Sequence, residues 1–107
     1  MEIIRVGEFF PAMRFPDLAD GSMAPVDVAG KHILIAKIGG VVSAVSGVCT
    51  HEETDLALGF VLEDRVVCPL HLSQFDLRTG QVMNPPAETP LALFNVKIEG
   101  DTIFVEV

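Results

Sequence analysis

A chain of 107 residues, half of them apolar and 21% charged, is sized for one folded domain with one core and is not a disordered segment. Fifteen acids against seven bases leave a net charge of −8. That balance argues against nucleic acid and anionic membranes as partners, since both call for a Lys/Arg surface, and suits docking on basic protein surfaces. Two cysteines cannot build a disulfide framework.

Seven Pro and nine Gly, spread along the chain, predict many short elements joined by turns, the pattern of an all-β domain. Residues 2–6 (EIIRV) read as a first strand, and 7–22 as a turn-rich stretch with room for one short helical turn. Val26–Val28 is a second strand. Ala29-Gly30-Lys31 turns into "HILIAKI" (32–38), whose nearly continuous apolar run predicts burial on both faces. Gly39-Gly40 is a two-residue hairpin signal, and "VVSAVSGV" runs from it toward Cys49. Residues 60–68 read as strand, turn at Glu63-Asp64, strand. A hairpin is predicted around Thr79-Gly80 and another around Glu99-Gly100-Asp101, ending in the period-2 pattern of Ile103, Val105 and Val107. No repeat, low-complexity segment or linker divides the chain, so 1–107 is expected to form a single domain. "MEIIRVGEFF" lacks the pattern of a signal peptide, and no apolar run reaches the length of a membrane helix, so a cytoplasmic protein is expected.

Both cysteines and two of the three histidines fall within 49–71, as Cys49-x-His51 and Cys68-x-x-His71. Each pair is expected in a loop at the end of a strand, so that two loops can face each other across an ion or small cluster. Thiolate and neutral imidazole are ligands of zinc, iron and copper. A zinc finger usually groups cysteine with cysteine and histidine with histidine. Here each loop carries one of each, which suits a binuclear core whose two metals are both touched by both loops. A [2Fe–2S] core in which two histidines replace two cysteines on one iron has that character.

"CTH", sixteen residues, "CPLH", then "FDLRTG", a "PP" and a "PL" resemble the Rieske family, and in particular the small ferredoxins of bacterial ring-hydroxylating dioxygenases. The resemblance implies an antiparallel β-sandwich with a small cluster-bearing subdomain inserted at about 47–88. It implies one [2Fe–2S] cluster, with Cys49 and Cys68 on one iron and His51 and His71 on the other. Leu72 departs from the family, which often has glycine there, and could add an apolar lid. The Rieske subunits of respiratory complexes carry an extra cysteine pair and a membrane anchor, and neither is read in these 107 residues. Oxygenase catalytic subunits need a further two histidines and a carboxylate. Only His32 is left over, and it reads as an edge or internally satisfied histidine. The expected role is therefore a monomeric one-electron carrier, not an enzyme, between a ferredoxin reductase and a terminal oxygenase. The rival is a small Rieske-fold subunit of a larger enzyme such as a nitrite reductase.

The resemblance also assigns the surroundings. In high-potential relatives a tyrosine stands where this chain has Phe75, and its hydroxyl donates to a cysteine sulfur. Ser73 matches a serine that donates to a bridging sulfide. Pro85 and Pro86 match a loop that covers the cluster, and Leu70 and Leu72 flank the histidine edge where electrons would leave. Two thiolates balance the charge of an oxidised core, so reduction adds an uncompensated electron. Between Cys49 and Pro90 lie seven acids and two bases. That field and the absence of a tyrosine predict a potential near the bottom of the roughly −150 to +300 mV Rieske span. Glu52, Glu53 and Asp55 are the expected docking charges.

Overall fold

The computed structural model describes residues 7–50, 54–70, 72–84 and 87–107. The predicted strand at 2–6 lies outside them. Among the described residues eleven strands form three antiparallel sheets: β1 (Phe9–Arg14), β2 (Ser22–Val28), β3 (Lys31–Ile38), β4 (Val41–Ser46), β5 (Phe60–Leu62), β6 (Arg65–Val67), β7 (Gln74–Asp76), β8 (Val82–Asn84), β9 (Leu93–Phe94), β10 (Val96–Glu99) and β11 (Thr102–Glu106). Short 3-10 turns occupy Phe15–Asp17 and Leu56–Leu58. No helix of the described residues is long and apolar enough to cross a membrane.

The central sheet has the order β2-β3-β4-β9. Its β3–β4 hairpin turns at Gly39-Gly40, both at positive φ (59° and 80°), where glycine meets no steric penalty. Along β3, Ile33, Leu34, Ile35 and Ala36 are all fully buried, as their unbroken apolar run predicts. Alternation sends them to opposite faces. Leu34 and Ala36 join one apolar cluster, with Val45, Leu56, Val66, Phe75 and Leu77. Ile33 and Ile35 join a second, with Ala44, Leu18, Val28, Ile103 and Val105. The core is thus two clusters split by the central sheet, not the single one expected from length. The sheet β1-β11-β10 covers one face. The sheet β5-β6-β7-β8 covers the other. Each fully buried Leu, Ile or Phe contributes roughly 1.5–3 kcal/mol relative to exposure, so either cover is expensive to peel away.

The turn-rich reading of 7–22 needs correction. Residues Phe9–Arg14 form a strand on β11, and only Phe15–Asp17 makes the helical turn. Pro11 is tolerated because β1 is an edge strand, and the ladder slips just after it, between Pro11 and Met13. β2 is also longer than predicted, and carries Pro25 on an edge for the same reason.

The third sheet, Phe60–Asn84, is inserted between β4 and β9. β9 returns to the central sheet by pairing Ala44 with Phe94 and Val45 with Leu93. The chain leaves and re-enters beside β4, and the two cysteine loops lie in this excursion.

Candidate metal centre

Each cysteine closes its own loop by the same bond. The Cys49 N–H donates to the carbonyl of Thr54 at 2.8 Å, and the Cys68 N–H to that of Ser73 at 2.8 Å. Both bonds run from cysteine to the fifth residue on, and in sequence the histidine of each pair stands between the two bonded residues. The first loop is pinched again at its base by a Val48–Asp55 bridge and by Leu56 N–H donating to the Gly47 carbonyl at 2.8 Å. The second grows out of β6 and returns as β7, whose pairing fixes Val67 opposite Gln74.

Cys49 and Cys68 are buried, belong to the same apolar cluster and form no disulfide. An apolar enclosure does not hold two thiolates charged without a cation to balance them. The pair therefore fits the thiolate half of an iron–sulfur donor set. Among the described residues no three metal-ligating side chains converge. His51 and His71 lie outside the described residues, as do Glu52, Glu53, Pro85 and Pro86.

A third segment is tied to both loops. The Thr50 hydroxyl donates to the Thr89 carbonyl at 2.6 Å, and the Ala87 N–H donates to Ser73 Oγ at 3.0 Å. Ala87 is buried in the cysteine cluster. Residues 87–89 thus stitch the first loop to the second. Ser73 is fully buried, and its bond to Ala87 uses an Oγ lone pair and not the O–H. Phe75 is fully buried in the same cluster as the cysteines. A Phe75→Tyr variant is expected to raise the reduction potential, by roughly 40 mV for each ~1 kcal/mol by which its hydroxyl favours the reduced cluster. Voltammetry of the two proteins side by side checks this; an unchanged or lower potential contradicts it.

Leu72 has φ +60°, the left-handed region that favours glycine. The backbone thus holds the glycine conformation although leucine stands there. Leu72 is 57% exposed and Leu70 46%, so Leu72 projects outward and is not packed beneath a cover. Left-handed backbone costs an L-residue about 1–2 kcal/mol, against about 0.5–1 kcal/mol of extra chain entropy lost by glycine. Leu72→Gly is therefore expected to raise the melting temperature by a few degrees, measured by calorimetry; a lower value would show that the leucine side chain offsets its strain.

Asp55, one of the expected docking charges, also braces its own loop, and two further acids of the inserted part, Asp64 and Asp76, make local contacts. Asp55 Oδ1 caps the 3-10 turn by accepting from Ala57 N–H at 3.0 Å and lies 2.9 Å from His32 Nε2. These bonds keep its carboxyl below the ordinary range, the His32 contact most of all. Asp64 pairs with Arg78, which lowers its pKa in turn. Asp76 accepts from the N–H groups of Arg78 and Thr79 within the β7–β8 turn. Glu63 and Glu88 remain exposed on the same part of the chain.

Sequence reasoning missed Gly59. A Cβ there would lie 1.9 Å from the Val67 carbonyl oxygen and 3.2 Å from Pro69 Cδ. The end of the first loop's 3-10 turn thus lies directly on the backbone flanking Cys68. A glycine between two exposed apolar residues, Leu58 and Phe60, was the available signal.

The Rieske [2Fe-2S] domain matches residues 8–95. The ferredoxin component of biphenyl 2,3-dioxygenase from Rhodococcus jostii is 38% identical over 90 residues, covering 84% of each chain. The ferredoxin subunit of 3-phenylpropionate/cinnamic acid dioxygenase from Shigella flexneri is 32% identical over 91 residues, 84% of this chain and 85% of its own. The solved ferredoxin of carbazole 1,9a-dioxygenase from Nocardioides aromaticivorans superposes with a TM-score of 0.86 at 29% identity, over 91% of this chain and 95% of that one.

Proposed function

The chain belongs to the Rieske [2Fe–2S] domain family, and on that premise we propose that it carries single electrons from an NAD(P)H-dependent ferredoxin reductase to a terminal ring-hydroxylating oxygenase. Cys49 and Cys68 would hold one iron and His51 and His71 the other. Bound there, the cluster supplies a site that gains and loses one electron without bond making. The chain's own residues do the rest. The closed loops fix the two cysteines, the 87–89 segment ties the loops together, and the apolar cluster keeps water from the sulfurs. Exposed Leu70 and Leu72 flank the second histidine in sequence and offer a contact edge. Acids of the inserted part steer the molecule to basic partner surfaces.

The observation that carries the reading is the pair of buried cysteines in two loops closed by equivalent bonds. Two relatives named as ferredoxin components of dioxygenases, at 38% and 32% identity, support the carrier role over the rival. The test mixes the purified, reduced chain with a ring-hydroxylating oxygenase and follows oxidation by stopped-flow absorbance. Transfer that slows steeply with added salt is the expected result. A chain that instead purifies in a stable complex with a large reductase, and passes no electrons when free, would establish the subunit reading.

A further inference from the structure

The one histidine that the cluster does not require sits in a clamp. His32 Nδ1 lies 2.9 Å from Asp27 Oδ1, its cross-strand partner on β2, and Nε2 lies 2.9 Å from Asp55 Oδ1 in the first cysteine loop. A neutral imidazole has one N–H, so one nitrogen lone pair would confront a carboxylate. Only the imidazolium donates on both sides. The ring edge also rests on Gly47, where a Cβ would lie 2.6 Å from His32 Cδ2. The Gly47 N–H donates to the His32 carbonyl at 3.0 Å. His32 thus grips the loop that carries Cys49 at both sides of its base, through Gly47 and through Asp55.

We propose that His32, as an imidazolium between Asp27 and Asp55, is a positioning residue that holds the first cysteine loop shut on the central sheet and slows loss of the cluster. The proposal rests on the reading of Cys49 and His51 as ligands. The titratable groups that face the ring are Asp27 from β2 and Asp55 from the loop. Strand β4 and the Leu56–Leu58 turn carry no titratable residue, and the nearest charged neighbour on β3 is Lys31. The bond to Asp55 first, and that to Asp27 second, raise the His32 pKa above 6.5. A raised folded-state value means that the clamp is whole below that ordinary value and fails as pH rises through the folded one. At the acid end it fails as pH falls through the lowered pKa of Asp55.

The test uses the cluster-loaded protein from pH 6 to 10. The decay of cluster absorbance under an iron chelator is timed, and the His32 ring nitrogens are followed by 15N NMR. In wild type, decay is expected to accelerate about tenfold as the two-N–H imidazolium signal disappears, the scale of one charge-assisted hydrogen bond. His32→Gln should decay fast at every pH, with no step. Asp27→Asn, at an exposed site, lets its amide donate to the Nδ1 lone pair of a neutral ring, so the alkaline step should flatten. A His32→Gln protein that decays at the wild-type rate, a wild-type ring already neutral at pH 6, or an undiminished step in Asp27→Asn overturns the clamp. Absence of any cluster signature in wild type would instead overturn the ligand reading beneath it.

Discussion

A His71→Cys variant is expected to lose the Rieske optical and spin signature, retaining at best an iron–sulfur cluster of ordinary type. The imidazole is a neutral ligand, and a thiolate in its place adds one negative charge to the cluster. The extra charge opposes reduction, so the potential should fall as the spectrum changes. Both effects follow from the pairing of one cysteine with one histidine in each loop. The equivalent closure of the loops, cysteine N–H to the carbonyl five residues on, favours equivalent ligand sets. Absorption and low-temperature electron spin resonance of the reduced variant decide the matter. A variant that stays spectrally Rieske removes His71 from the ligand set.

Gly59→Ala is expected to be the most damaging change outside the ligands. Gly59 has φ −87°, which alanine adopts freely, so the backbone itself is no obstacle. The obstacle is the Val67 carbonyl, 1.9 Å from the added carbon and part of the β5–β6 ladder. Rigid main chain on both sides leaves no side chain to swing away. Overpacking of this kind costs about 3 kcal/mol, the upper end of the usual range, which is a loss of at least roughly 12 °C in melting temperature. The displaced residues are Val67 to Pro69, with Cys68 between them, so iron content should fall by more than half. Gly21→Ala is the control. Its added carbon meets nothing within 4 Å, and its φ of +78° brings only conformational strain of about 1–2 kcal/mol. If Gly59→Ala melts no lower than Gly21→Ala and keeps its iron, the two loops are not braced through this contact.

The central sheet was legible because its signals are local. The apolar run of 33–36 and the Gly39-Gly40 turn carry their own physics, and the hairpins at 63–64, 79–80 and 99–101 follow from turn chemistry. Strand β1 was not legible, because Pro11 and Pro16 mimic a loop and the ladder of β11 that it joins lies far away in sequence, with Phe9 opposite Glu106 and Arg14 opposite Thr102. β9, with two residues, is too short to leave a pattern. The metal-binding pattern was readable from residue type and spacing. The stitching was not: Thr50 to Thr89, Ser73 to Ala87 and Gly59 against Val67 each join segments whose proximity depends on the whole fold. His32 was half legible. Asp27 faces it across the Ala29-Gly30 turn, but Asp55 reaches it only because the first cysteine loop folds back on β3.

We propose a one-electron carrier of low potential built on Cys49, His51, Cys68 and His71. Direct voltammetry of the anaerobically purified protein, from neutral pH into the alkaline range where bound imidazoles lose protons, tests it most directly. A single one-electron wave is expected near the bottom of the roughly −150 to +300 mV Rieske span, flat near neutrality and falling only as the pH becomes alkaline. A wave above about +100 mV on that scale, already pH-sensitive near neutrality, would contradict it and point to a respiratory-type partner.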